Sequence, residues 1–352
     1  MQKSHFKYLL IILSPFAVLY SGIMSLRNKL FDKGIFKQKK VSATVISVGN
    51  ITVGGSGKTP TVIYLAKLLK QNGINVGILS RGYGRNSKGY RLVSDGKKLL
   101  LPVEESGDEI VLAAEECKVP AAVSEKRVIG AEKLIESQNV DAIILDDAFQ
   151  HRWLARDLDI LIFDQRFLMK KDSIEQQLLP LGRLRESFTA IDRADIVLIN
   201  RKFTKKRELP KSKKKLLKNK KVFYGYYKSS GLLDVKDEQL YSLEEFKGQK
   251  SLVVCGIARP FSFLKVLEDN EIDISNRMLF KDHKEYDEKE IELIRKTFYE
   301  TNSYSVVTTQ KDFVKLKAFS KELDDIDIYY LKIDLQIEDK EKFENEIVKI
   351  IK

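Results

Sequence analysis

The sequence contains little cysteine and little histidine, and this narrows the classes of protein that it can encode. Two cysteines, Cys117 and Cys255, lie far apart among 352 residues, which excludes a disulfide framework and is typical of a reducing compartment. The three histidines, His5, His151 and His283, show no zinc-binding spacing with cysteine. With 43% hydrophobic and 32% charged residues, the chain is not disordered, and it is long enough for two domains.

Positive charge is concentrated in two segments of the chain. The net charge is +12, of which residues 201–221 (RKFTKKRELPKSKKKLLKNKK) contribute +11 and residues 1–40 contribute +7, so the remainder is acidic. Such runs suit anionic lipid or nucleic acid, and a solvated surface is the other interpretation. No nucleic-acid motif and no aromatic interleaving accompanies the 201–221 run. We therefore expect no nucleic-acid partner, and the role of the run stays open.

A glycine-rich stretch near the N-terminus, VISVGNITVGGSGKTPTVIYLAKLL (45–69), nearly matches the phosphate-binding motif G-x-x-x-x-G-K-[ST]. Its last three positions are present, whereas Thr52 stands where the first glycine is usual. The apolar, β-branched run 44–48 predicts a buried strand, and helical spacing over 61–70 predicts a helix. A turn between such elements directs backbone N–H groups at an anion.

We predict that this loop binds ATP. Lys58 is expected to reach the β- and γ-phosphates, and the Thr59 hydroxyl to ligate Mg²⁺. The missing glycine matters little if Thr52 needs no positive φ. The alternative is a glycine-rich turn without a ligand. The predicted cofactor-binding residues are Thr52, Val53, Gly54, Gly55, Ser56, Gly57, Lys58 and Thr59.

The segment before this loop is apolar. Residues 8–26 (YLLIILSPFAVLYSGIMSL) carry no charge over a length just sufficient to cross a bilayer. Pro15, Gly22 and three serines weaken a spanning helix, so an interfacial helix is the other interpretation, and a buried core helix is a third. A cleaved signal peptide is disfavoured by the ATP site downstream. Six basic residues between positions 27 and 40 predict that the body lies on the cytoplasmic side of a membrane.

Strand and helix patterns alternate along the rest of the chain. This alternation predicts a parallel sheet with helices on both faces. Residues 221–235 are rich in β-forming residues interrupted by Ser-Ser-Gly, which indicates a hairpin or a pair of linker strands. A strand followed by a loop is predicted over 75–85, and further strands over 141–149, 158–164 and 194–200. The predicted helices cover 107–118 and 125–138, and strand–loop–helix units cover 250–268 and 304–316.

Acidic residues follow one predicted strand and begin one predicted helix. Asp146 and Asp147 end the run IILDD, the usual place for a second Mg²⁺ ligand, and the alternative is an acid that caps a helix or lies in a turn. Glu109 is a further candidate ligand. Asp108 stands at a helix start, where a capping role is the stronger interpretation. An Asp–His pair with His283 could take a proton from a hydroxyl, but the spacing alone does not show that the two meet.

A series of motifs resembles the tetraacyldisaccharide 4′-kinase family, the lipid A 4′-kinases of Gram-negative bacteria. The resemblance covers nearly the whole chain, and threonine at the opening of the loop is usual in that family. The motifs are, in order, GNITVGGSGKTP, LSRGYGR, SGDE, LDDAFQHRWLARDLDI, LLPLGRLRES, GIARPFSF, FKDH and TTQKD.

The resemblance implies an α/β fold, with a P-loop NTPase-like parallel sheet and a second, smaller α/β lobe joined by a two-stranded linker. It implies transfer of phosphate from ATP to the 4′-hydroxyl of a tetraacylated glucosamine disaccharide 1-phosphate. The expected segments are 1–27, a membrane-associated helix; 28–220, the kinase lobe; 221–249, the linker; 250–335, the second lobe; and 336–352, a C-terminal helix.

The same resemblance assigns roles to residues. It implies that Asp108 and His283 act together as the general base for the sugar hydroxyl. It also implies that Glu109, Asp146 and Asp147 are acidic residues of the magnesium site, and that Lys58 and Thr59 contact the phosphates and Mg²⁺. The chain departs from the family at Ala148, where many members have glycine, and at Lys281 and Lys284, which replace a proline and a second histidine. The assignment of this Asp–His dyad therefore depends on His283 alone. The motif positions without an assigned role are Gln150, His151, Arg152 and Arg185.

The expected partners are the lipid substrate and the cytoplasmic face of the bacterial inner membrane, without an obligate protein partner. Two other functions remain open: a soluble P-loop kinase or ligase of small molecules, and a membrane-associated P-loop switch ATPase. The uncharged N-terminal segment speaks against the first. The second needs no base for a sugar hydroxyl.

Overall fold

The computed structural model describes residues 2–171, 173–257, 260–282 and 284–351, and it describes side chains from residue 12 onward. The helices in this part of the chain are α1 Gln2–Asp32, α2 Lys58–Gln71, α3 Val103–Ser106, α4 Asp108–Cys117, α5 Arg127–Gln138, α6 Gln165–Met169, α7 Lys211–Leu216, α8 Phe261–Asp269, α9 Glu288–Glu300, α10 Gln310–Leu316 and α11 Lys340–Val348. The strands are β1 Thr44–Gly49, β2 Val76–Ser80, β3 Arg91–Asp95, β4 Pro120–Val123, β5 Ala142–Asp146, β6 Leu158–Asp164, β7 Ile196–Asn200, β8 Lys221–Asp234, β9 Leu240–Tyr241, β10 Lys250–Cys255, β11 Asp273–Leu279, β12 Ser305–Thr309 and β13 Ile328–Ile337.

These strands form one mostly parallel sheet in the order β11-β10-β12-β13-β8-β7-β6-β1-β5-β2-β4-β3, with β9 beside β8. Successive residues of β1 point to opposite faces, so that Ile46 packs beneath α2 and α4 whereas Val45 packs towards α5. Helices therefore cover both faces, and the α/β prediction is confirmed. The register places Val48 of β1 beside Asp146 of β5, which brings the loop after β1 next to the acids after β5.

Two long strands, β8 and β13, connect the two halves of the sheet. They pair antiparallel from Tyr329↔Asp234 to Ile337↔Gly225. Residues 221–234 are thus one strand, which differs from the expected hairpin or strand pair. The Ser-Ser-Gly interruption is a bulge rather than a turn: the register shifts at Lys332/Ile333, opposite Gly231, whose φ is +143°. The expected division of the chain into domains stays a prediction.

The N-terminal helix α1 is attached to the body by its C-terminal half. The Tyr20 hydroxyl donates to the carbonyl of Arg185 (2.9 Å), and the Phe31 and Trp153 rings meet edge to face, with centroids 4.9 Å apart. No helix in the described part of the chain is long and apolar enough to cross a membrane. The large apolar side chains that α1 exposes are Ile12, Phe16, Val18, Leu19, Ile23 and Leu26.

The C-terminal helix α11 belongs to the core beneath α2. Phe343 is fully buried, and its ring meets those of Tyr64 on α2 (centroids 6.0 Å apart) and Phe223 on β8 (5.1 Å). The end of the chain thus packs against the half of the sheet in which the chain begins.

Replacing Phe343 tests this packing. Phe343→Ala should lower the free energy of unfolding by about 3–5 kcal/mol, because it removes buried apolar surface and leaves a cavity. Thermal or urea unfolding of the full chain measures this, and Lys342→Ala, at an exposed neighbouring position on the same helix, is the control. Equal stability of the two variants would show that α11 is not part of this core.

Candidate active site

The loop between β1 and α2 has the conformation of a phosphate-binding loop. Gly54 and Gly57 have φ values of +98° and +104°, which favour glycine. A Cβ at Gly57 would lie 2.1 Å from Nδ2 of Asn200, so only glycine fits. Thr52 is not among the residues with positive φ, as expected, and it forms a bridge with Leu184. The substituted first position is therefore compatible with the motif.

Side chains from outside the loop hold it in shape. Asn50 donates through Nδ2 to the Ser56 hydroxyl (2.8 Å), and Asn200 at the end of β7 donates to the Ser56 carbonyl (3.2 Å). Lys202 donates to the carbonyl of Gly55 (3.0 Å). Asn200 ends the strand predicted over 194–200 and Lys202 follows it, at the edge of the sheet where the loop lies, but no sequence motif marked either residue.

Lys58 and Thr59 begin α2 at the floor of the cleft. Thr59 is buried, and Nζ of Lys58 lies 3.8 Å from Oδ2 of Asp147. Asp147 also accepts two bonds from the Arg185 guanidinium, at 2.8 and 3.2 Å. Burial acts to raise the pKa of Asp147, but Lys58 and Arg185 hold that pKa below its ordinary range. Asp147 is therefore ionised between two cations.

Asp146 is in a different electrostatic state. It is 3% exposed, and its Oδ1 has no hydrogen-bond partner among the described residues. Burial, reinforced by the negative charge of Glu109, raises the pKa of Asp146 above its ordinary range. This carboxylate lacks a nearby positive charge sufficient to compensate for its burial.

Asp108 and Glu109 begin α4 and meet two lysines of α10, from the other half of the sheet. Oδ2 of Asp108 lies 3.1 Å from Nζ of Lys315, and both side chains are nearly buried. Lys311 forms an ion pair with Glu109. Gly107 occupies the N-cap position of α4, and Asp108 and Glu109 lie in its first turn. Neither lysine was predicted to be a site residue: Lys311 lies within the motif TTQKD, which was given no role, and Lys315 follows that motif.

His283 lies outside the described residues. Asp282, which precedes it in the chain, lines the same cleft as Lys58 and Glu109, a cavity of about 1250 Å³. The predicted loop residues and the predicted acids Glu109, Asp146 and Asp147 all line this cavity. Within the described part of the chain, no three His, Cys, Asp or Glu side chains form a ready-made metal site.

The motif residues without a predicted role join α1 to the loop. Gln150 donates to the carbonyl of Asn50 (2.9 Å) and to Glu186 (3.0 Å), and Arg152 forms an ion pair with Asp32 of α1 (2.7 Å). Burial and the positive charge of Arg127 lower the pKa of His151 to about 4, so this histidine is neutral at pH 7. The block thus fixes the N-terminal helix at the rim of the cavity, where Tyr20, Met24 and Arg27 line it.

Comparison with known proteins agrees with this geometry. The family model described as Tetraacyldisaccharide-1-P 4′-kinase (LpxK) matches residues 9–352. The chain is 38% identical to the tetraacyldisaccharide 4′-kinase of Chlorobaculum parvum over 309 residues, covering 87% of this chain and 84% of that protein. It is 33% identical to the protein of the same name from Syntrophus aciditrophicus over 354 residues, covering 97% and 93%.

A solved structure extends the likeness to three dimensions. LpxK from Aquifex aeolicus, crystallised in complex with ATP, superposes with a TM-score of 0.81 at 35% identity, covering 98% of this chain and 100% of that chain. The resemblance drawn from the sequence motifs is confirmed over nearly the full length. The chain belongs to the tetraacyldisaccharide 4′-kinase family.

Proposed function

We propose that this protein transfers the γ-phosphoryl group of ATP to the 4′-hydroxyl of a tetraacylated glucosamine disaccharide 1-phosphate, a step of lipid A biosynthesis. The observation that carries the proposal is the cavity itself. It joins a phosphate-binding loop, paired acids and an apolar helix at one rim. A family relative of known structure binds ATP.

The loop residues 52–59 bind the nucleotide phosphates through backbone N–H groups and the start of α2. Lys58 belongs to this loop and lies in a partly buried site, where its charge stabilises negative charge on the transferred group more strongly than in water. Arg185 holds Asp147 beside Lys58. The cleft is therefore organised for phosphoryl transfer before the substrates arrive.

The residues fit Mg²⁺. Asp146 has an unpartnered buried oxygen, and hard carboxylate and hydroxyl oxygens are the ligands that this ion prefers. Kinase sites usually supply one or two carboxylates and leave the remaining positions to phosphates and water, which agrees with the absence of a ready-made cluster among the described residues. The residues that would hold it are Thr59, Glu109, Asp146 and Asp147; when bound, the ion neutralises charge on the β- and γ-phosphates.

Asp108, with His283, accepts the proton of the 4′-hydroxyl. The hydroxyl oxygen forms a bond to the γ-phosphorus, and the bond between that phosphorus and ADP breaks. The proposal is supported by the ion pair that holds the buried carboxylate of Asp108 against Lys315, and by its neighbour in the chain, Glu109, which lines the cavity. Asp282, next to His283 in the chain, lines the same cavity.

The acyl chains are accommodated on the membrane side. The apolar residues that α1 exposes lie on the helix that also lines the cavity through Tyr20 and Met24. An interfacial position of this helix would present a lipid substrate to the cleft without extracting it from the bilayer. The protein would then act at the cytoplasmic face of the inner membrane.

The direct test is a phosphoryl-transfer assay with labelled ATP and the disaccharide 1-phosphate in neutral detergent micelles. A labelled bisphosphate product supports the proposal. ATP hydrolysis that is independent of the lipid would instead favour a P-loop switch ATPase, and transfer to a water-soluble acceptor would favour a small-molecule kinase.

Lys58→Ala should reduce turnover by at least about a hundredfold, because the transferred phosphoryl group loses its nearest cation. Lys70→Ala is the matched control on α2, since Lys70 only bonds the carbonyls of Cys117 and Lys118. Initial rates at saturating ATP compare the two. More than half of wild-type turnover in Lys58→Ala would overturn the assignment of the loop.

Asp108→Asn and His283→Ala should each lower turnover by roughly 10²–10⁴-fold while ATP affinity changes little, because a sugar hydroxyl needs a positioned base. If the two residues act as a unit, the double variant should be little worse than the poorer single variant. Multiplied losses in the double variant would show that they act separately.

A structural role for Asp108 can be separated from a catalytic one. Removing the carboxylate leaves Lys315 buried without its partner, which destabilises the fold by itself. The double variant Asp108→Asn/Lys315→Met removes both charges, and it should recover thermal stability without recovering turnover. Recovery of turnover would contradict the role of Asp108 as a base.

Deleting residues 1–26 should release much of the protein from membranes while leaving ATP binding measurable. The full-length variant Phe16→Ser/Leu19→Ser/Ile23→Ser, which changes three exposed residues of α1, should have the same effect without shortening the chain. Vesicle flotation measures membrane binding. Wild-type protein that stays in solution in the presence of vesicles would show that α1 is not an anchor.

A further inference from the structure

The basic run 201–221 contains two kinds of cation. Some are committed to acids of the protein: Lys206 pairs with Glu338, and Lys214 with Glu208. Others are exposed and make no ion pair within the described part of the chain. We call this second set the basic patch; it consists of Lys205, Arg207, Lys211, Lys215 and Lys218.

The basic patch is fixed to the body by apolar residues beside it. Leu209 and Leu217 flank α7 and are buried in the cluster that covers one face of β6 and β7. Nζ of Lys213, on α7, lies 3.6 Å from the centroid of the Phe188 ring, and Lys220 donates to the carbonyls of Asp192 and Ala194. The lysines between these anchors are therefore held on an ordered surface rather than on a loose tail.

A short series of contacts links this surface to α1. Asn28 of α1 donates to Glu186 (2.7 Å), and Glu186 forms an ion pair with Arg193 (2.9 Å). Residues 188–193 form the 3₁₀ helix that carries Phe188 and Asp192, the contacts of Lys213 and Lys220. One segment, 186–194, thus contacts both α1 and the basic run.

We propose that the basic patch binds anionic phospholipid headgroups of the bilayer that also takes up the apolar residues of α1. The inference rests on the proposed function at a membrane. The membrane affinity of an interfacial helix grows with its buried apolar area and with electrostatic attraction to anionic lipid, and a neighbouring cluster of cations supplies the second contribution. Nucleic acid is less well matched, because the only aromatic residue of the run, Phe203, is partly buried against Tyr227 and lines the active-site cavity instead of joining the basic patch.

The test uses the full chain with glutamine at all five patch positions. Binding is measured by flotation with vesicles of phosphatidylcholine alone and of equal parts phosphatidylcholine and phosphatidylglycerol, at low and physiological salt. The matched control replaces five exposed lysines elsewhere that make no ion pair among the described residues: Lys88, Lys97, Lys98, Lys126 and Lys321. Both variants lose the same charge, so a difference between them reports position.

The patch variant should bind the anionic vesicles at least about a hundredfold more weakly than wild type, while binding to neutral vesicles is unchanged. The control variant should lose less than about threefold, and raising the salt should erase most of the difference between wild type and patch variant. Equal losses in the two variants would overturn the proposal, because net charge alone would then explain binding.

Two further measurements keep the proposal distinct from the kinase assignment. Turnover in neutral micelles should be the same for wild type, patch variant and control variant, so an inactive wild type would refute the kinase proposal, whatever the vesicles show. A patch variant that binds anionic vesicles like wild type but loses affinity for labelled single-stranded RNA would overturn the lipid proposal in favour of a nucleic-acid surface.

Discussion

Burial of carboxylates in one cleft is the constraint on which the rest of this structure depends. An ionised carboxylate removed from water costs several kcal/mol unless a cation compensates it. Asp108 obtains its cation from α10, through Lys315, and Asp147 obtains Lys58 and Arg185. Asp147 and its two cations belong to the half of the sheet that carries the phosphate-binding loop. Asp108 and Lys315 come from opposite halves, so this charge is compensated only when both halves are assembled. The long strands β8 and β13 make this possible, because they hold the two halves in one hydrogen-bonded register.

Asp146 differs from these carboxylates, because no cation of the protein fully compensates its burial. This difference indicates how the cleft works. Its neighbour Asp147 is held ionised by two cations, whereas burial and Glu109 disfavour the charged form of Asp146. A divalent cation is the group that would relieve this, and the phosphates of the nucleotide are the anions that Lys58 can meet. We therefore expect nucleotide and metal to stabilise each other in the cleft, because the positive charge of the metal offsets the negative charges of the phosphates and of Asp146.

The elements that depend on local sequence were predictable. The phosphate-binding loop, the strand before Asp147 and the helix that begins at Asp108 each carry their signal within about a dozen residues, and each forms. The strand is shorter than predicted, at 142–146 instead of 141–149. The contacts of Lys311 and Lys315 could not be predicted. They depend on α10 meeting α4 across the sheet, and no periodicity in the sequence encodes such a pairing. The bulge in β8 was mistaken for a turn because Ser-Ser-Gly suits both, and only the distant strand β13 decides between them. The role of His283 remains a prediction.

Two groups of basic residues in this chain differ in whether an acid of the protein neutralises them. Those at the cleft, Lys58, Lys311 and Lys315, each lie within 4 Å of an acid, and their charge is largely neutralised locally. Those of the basic patch are exposed and keep their full field, although salt screens it within about 8–10 Å. The first arrangement discriminates, because an anion that enters must fit among existing partners. The second only attracts, because any extended negative surface satisfies it. A lipid kinase needs both: attraction to the bilayer that holds its substrate, and discrimination at the bond that it makes.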